Sequence, residues 1–142
     1  MKKLLSLFIL AVSLIFASQA IAASYGPDFA KFTIKPLPGW TATEISQGVQ
    51  VTNGKSALAI VVVKDPGMSL EDFAKAVVQQ AGVTDAEYDT SDKDLVTVKG
   101  KKDNTKLAFV LTKADGNIVN CTLAGPDTDD MMKIIDSLED AK

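Results

Sequence analysis

Oxygen-bearing side chains stand at alternate positions in Asp85-Ala86-Glu87-Tyr88-Asp89-Thr90-Ser91-Asp92-Lys93-Asp94, which is how a calcium-binding loop begins. Such a loop places a glycine at its sixth position, for the sharp turn, and a bidentate glutamate at its twelfth. Counted from Asp85, those positions hold Thr90 and Val96. Asp85, Glu87 and Asp89 are therefore candidate ligands only for a cation held in some other geometry. The expectation is a solvated acidic loop, with no resident metal and no cofactor.

Lys99, Lys101, Lys102 and Lys106 crowd the segment that follows. Together they form a candidate partner surface for an acidic protein or an anionic headgroup. The competing reading is plain solvation, since lysines near a hairpin tip commonly keep strand edges from pairing and Asp103 dilutes the charge. Cys121 alternates with Val119 and Leu123, so strand parity puts its thiol in the core, where it behaves as a small hydrophobe. Asn120-Cys121-Thr122 has the form of a glycosylation sequon, but a strand is a poor place for one. Trp40, in Leu37-Pro38-Gly39-Trp40, either lines a pocket for a small apolar ligand or closes the end of the core. Met131 and Met132 read as core filler.

What is missing narrows the chemistry further. The chain of 142 residues has no histidine, all 15 of its basic residues are lysine, and 18 residues are acidic. Without imidazole there is no Ser-His or Cys-His nucleophile pair and no imidazole ligand for a transition metal. Without arginine, and with a net charge of −3, nucleic acid is not an expected partner. No catalytic residue is assigned. A lone cysteine cannot close an intramolecular disulfide.

The chain opens with Met1-Lys2-Lys3, an apolar run from Leu4 to Phe16, and Ala20-Ile21-Ala22 ahead of Ala23. A charged start, a short apolar core and small residues at a cleavage site make a secretory signal peptide over 1–22. The apolar run is shorter than the roughly 20 residues a membrane span needs. A single domain over 23–142 is then expected in the periplasm or secreted, with no stable membrane anchor after cleavage. Loss of Lys2 and Lys3 makes it more acidic still. The residue after the leader is not cysteine, so lipid attachment is not expected. Roughly 120 residues is an ordinary size for one domain with its own core.

The elements that must position these residues follow from periodicity. Strands are predicted over Phe29–Ile34, Thr41–Ile45, Val49–Thr52 and Leu58–Val63, with Asn53-Gly54 as a hairpin turn. Ser69 caps a helix whose apolar residues Leu70, Phe73, Ala74, Val77, Val78 and Ala81 share one face, and Gly82 stops it. The acidic stretch from Thr84 to Asp92 reads as a connection. Strands over Leu95–Lys99, Leu107–Leu111 and Ile118–Leu123 follow, with a polar turn from Gly100 to Asn104 and another at Asp115-Gly116. A second helix, capped by Asp127 or Thr128, lays Met131, Met132, Ile134, Ile135 and Leu138 on one face. Leu58–Val63 and Leu107–Leu111 are apolar at consecutive positions, so both faces of the sheet need cover. The fold class is α+β: an antiparallel sheet of six to seven strands flanked by two helices in an α/β/α sandwich.

Phe32-Thr33-Ile34 running into Leu37-Pro38-Gly39-Trp40, the apolar strand Leu58–Val63 and Ser69-Leu70-Glu71-Asp72-Phe73 at a helix start resemble the PsbP-like superfamily, which includes DcrB-like bacterial envelope proteins. The resemblance implies a PsbP-like α/β/α domain and a non-catalytic, exported accessory or binding role, its partner an envelope protein or small ligand. Two alternatives stand beside it. One is a cation-assisted hydrolase or transferase using Asp85, Glu87, Asp89 and Asp92; the other is a carrier of a small apolar ligand near Trp40.

Overall fold

The structure is a computed structural model that describes residues 24–141; the signal sequence expected over 1–22 lies outside them. A seven-stranded antiparallel sheet carries the fold, in the order β2-β3-β4-β8-β7-β6-β5. Its strands are β2 (Thr41–Ile45), β3 (Gly48–Thr52), β4 (Ala57–Lys64), β5 (Thr84–Asp92), β6 (Leu95–Lys102), β7 (Thr105–Ala114) and β8 (Asn117–Ala124). Helix α1 (Leu70–Ala81) connects β4 to β5, and α2 (Thr128–Asp136) follows β8. A small second sheet pairs β1 (Phe32–Thr33) with β9 (Glu139–Asp140).

Period-two alternation sorts the sheet residues onto two faces, and each face has its own core. On one face Val49, Val51, Leu58, Ile60, Val62, Cys121 and Leu123 pack with Met131 and Ile134 of α2 and with Phe32, Ile34 and Trp40 from the N-terminal segment. On the other, Val96, Val98, Phe109, Leu111 and Ile118 pack with Leu70, Ala74 and Val78 of α1. The α/β/α sandwich is therefore present, with one helix on each face. The helices do not sit back to back: α2 rests on β4 and β8, α1 on β6 and β7. Each face of the sheet is thus roofed over one half and open over the other.

The caps explain where the helices begin and end. Ser69 Oγ accepts the Asp72 N–H at 3.1 Å, and Gly82, left-handed at φ 72°, closes α1 by donating its N–H to the last turn. Hairpin turns at Asp103-Asn104 and Asp115-Gly116 have positive φ at both residues, the conformation that matches strand twist. Gly100 lies inside β6, and a Cβ there would stand 2.3 Å from the Val83 side chain. A residue other than glycine would push away the connection from α1 into β5.

Three sequence expectations change. The stretch from Thr84 to Asp92 is the edge strand β5 rather than a loop, because its backbone pairs with β6 although almost every side chain is exposed. With so little on either face buried, no apolar alternation marked it. The strand expected over Phe29–Ile34 shortens to Phe32–Thr33 and leaves the main sheet to pair with β9, a strand of two exposed acids that carries no apolar signal. The polar turn expected from Gly100 contracts to Asp103-Asn104, since β6 runs on through Lys102.

Candidate functional site

The open half of the α2-side face is formed by β5, β6 and the near part of β7. Strand register places its residues in rows. Leu95 stands opposite Thr112, Thr97 opposite Val110, Lys99 opposite Ala108 and Lys101 opposite Lys106. From the edge strand, Asp89 stands beside Thr97 and Glu87 beside Lys99. Ala108 and Val110 are half-buried against the α2-side core, while Lys99, Lys101 and Lys106 are exposed. Leu95, 42 % exposed, ends this face at the far side from Lys101.

Three of the four predicted lysines are brought together here and one is not. Lys102, paired with Thr105, has the opposite parity and belongs to the α1-side face. One step along a strand reverses the side-chain direction, so crowding in sequence is not crowding on a surface. The edge-guarding explanation of these lysines also fails. β6 lies between β5 and β7, and β7 between β6 and β8, so Lys99, Lys101 and Lys106 stand on interior strands. Among the described residues, ion pairs join Lys31 to Asp28, Lys75 to Glu71 and Lys113 to Asp65. Lys99, Lys101 and Lys106 belong to none of them.

The acidic candidates are arranged differently from a ligand loop. Glu87 and Asp89 share the α2-side face, but Asp85 sits in the irregular register between Thr84 and Glu87 with φ at 55°. Asp89 Oδ1 accepts the N–H and hydroxyl of Ser91, bonds that hold its carboxyl below the usual carboxylate range. No group of three or more potential ligands capable of holding a metal ion occurs among the described residues.

Trp40 is 6 % exposed and packs in the core with Phe32 and Ile34. Its backbone N–H donates to Leu37, closing the turn that delivers it there. Cys121 is buried between β4 and β7 neighbours, and loss of solvent pushes its thiol up to about 12. Met131 is fully buried and Met132 packs against the same cluster, as core filler should.

Two features carry no sequence signal. Asp127 precedes α2 yet makes no side-chain cap; its Oδ2 accepts Asn53 Nδ2 at 3.0 Å and Ser56 Oγ at 2.8 Å. Those two bonds, Asn53 first, hold its carboxyl below the ordinary carboxylate range. The shallow depression beside it, lined by Pro126 to Asp130, is thus partly a structural tie. The second feature is the open half of the α1-side face, where Thr43, Gln50, Ala59 and Thr122 form a neutral row. Nearby, Asn120 Oδ1 is buried without a partner. Seeing either needs pairings between residues 63 to 74 positions apart.

No family model matches this chain, and no curated protein matches it. The fold is nevertheless shared. The solution structure of cyanobacterial PsbP (CyanoP) from Synechocystis sp. PCC 6803 superposes with a TM-score of 0.50 at 15 % identity, covering 87 % of this chain and 95 % of that one. A crystal structure from Bacteroides thetaiotaomicron is similar at a TM-score of 0.47 and 14 % identity, over 78 % of this chain and 45 % of that one. At these identities the likeness is one of fold alone: the chain has the PsbP-like architecture.

Proposed function

We propose that this protein is an exported, soluble, non-catalytic accessory or binding protein, and that it binds through the open half of the α2-side face. The observation that carries the reading is the set Lys99, Lys101 and Lys106: three exposed cations on one face of interior strands, none in an ion pair among the described residues, in an acidic chain. Interior strands have no edge to protect, so edge-guarding does not account for their shared face. The leader pattern at the N-terminus supports export, and the PsbP-like fold is compatible with an accessory role.

The test is bulk placed on one open face at a time. Thr97→Trp projects into the lysine-bearing half, and Thr122→Trp into the neutral half on the opposite side. Affinity capture from the native envelope should retain its specific partner with Thr122→Trp and lose at least tenfold of it with Thr97→Trp. Equal retention by both variants would place binding elsewhere, and turnover of a substrate would displace the non-catalytic reading.

A further inference from the structure

We propose that Lys99, Lys101 and Lys106 hold the phosphoryl group of a small phosphomonoester whose uncharged body lies along Ala108 and Val110. The proposal rests on the open α2-side half being the binding face and names what that face takes. Lys101 and Lys106 are direct cross-strand partners, and Lys99 is one row away on the same face. Directly opposed side chains have their Cβ atoms about 4.5–5.5 Å apart and diagonal ones about 7–8 Å, so three flexible ammonium groups can converge on one compact anion. Like charges directly opposed destabilise a sheet. A bound dianion turns that cost into attraction.

The rest of the face decides which anion fits. The planar fork of arginine, which matches carboxylate and phosphate alike, is missing from the chain; lysine serves a phosphate as a point charge. An extended acidic polypeptide would carry further charges along the strands. Here the cations stop at Lys99, which Glu87 faces across the strand pair, and the next positions on the face are Thr97, beside Asp89, and Leu95, beside Asp92. Those carboxylates repel a second negative charge. They oppose an anionic bilayer as well, as does the chain's net charge of −3. What remains is one anionic group with an uncharged tail. Lys101 lies six positions along β6 from Leu95, and at about 3.3 Å per residue the face accommodates a ligand up to roughly 20 Å long.

The test is an NMR titration of the full-length protein with inorganic phosphate, chloride adjusted to hold ionic strength constant. Amide signals of Lys99, Lys101 and Lys106 should shift saturably. Lys101→Gln and Lys106→Gln should each weaken the response at least fivefold, while Lys102→Gln, on the opposite face, should leave it within twofold. Melting temperatures show whether each variant folds, and that of Lys101→Gln should not fall, since a repulsion is removed. Glycerol phosphate should bind at least as tightly as inorganic phosphate. A non-saturable response, or an equal effect of Lys102→Gln, would overturn the proposal. So would binding to phosphatidic acid vesicles or to polyglutamate without any response to the two small phosphates. Phosphate binding without partner capture would sink only the accessory reading; capture without phosphate binding would sink only this one.

Discussion

The Cys121 thiol shows how far parity alone carries at the scale of one residue. Alternation with Val119 and Leu123 predicted burial, and Cys121 is 2 % exposed. The thiol is pushed from 9.0 to about 12 by desolvation, which leaves about a thousandfold less thiolate at pH 8. Alkylation of the native protein at pH 8 should therefore be at least a hundredfold slower than in denaturant, and Cys121→Ala should cost on the order of 1 kcal/mol in urea unfolding. Rapid native labelling would contradict the placement. The lysines show where such reading stops. Their number and spacing were legible, but the separation of Lys102 from the other three depends on β6 running two residues past Gly100, which the polar composition concealed.

Among the elements, the link between the β3–β4 hairpin and α2 carries the clearest consequence. Ser56, 2 % exposed, donates its Oγ–H to Asp127 Oδ2 at 2.8 Å and accepts the Asp127 N–H at 3.0 Å. Asn53 Oδ1 meanwhile accepts the N–H groups of Lys55 and Ser56, so one loop is held and docked by the same residues. Ser56→Ala should cost about 1–2 kcal/mol by chemical denaturation, since the half-buried Asp127 loses a donor to its carboxylate and an acceptor for its N–H. The Asp127 carboxyl is held below its unfolded value of 3.8. Its contribution is present above that value and is lost as pH falls through the lower folded one. Asp127→Asn should therefore destabilise more at pH 7 than at pH 3, and an equal loss at both would rule out the carboxylate as the origin. The sequence offers Asp127 or Thr128 as the cap; the role of Asp127 in joining two elements is hidden because Ser56 lies 71 residues away. Strands with a buried face, such as β4 and β7, were readable from composition. β5 and β9 were not, because backbone pairing alone defines them.

For the whole molecule, the need to cover two apolar faces correctly implied a helix on each side of the sheet. It did not imply that the helices would be staggered across it. Stagger follows from which strands each helix reaches: α1 enters from β4 and leaves into β5 at the far edge, whereas α2 follows β8 near the sheet centre. That offset is what leaves Lys99, Lys101 and Lys106 uncovered on one face and the neutral row through Gln50 and Thr122 uncovered on the other.

If the lysine-bearing half is the face a partner occupies, photo-crosslinking from defined positions in the native envelope will capture that partner there. A photoreactive residue at Thr97 or Thr112, both on that face, should give one discrete adduct. The same residue at Thr43 or Thr122, on the other open half, should give none. Adducts only from Thr43 and Thr122 would contradict the account, and so would equal labelling from all four positions.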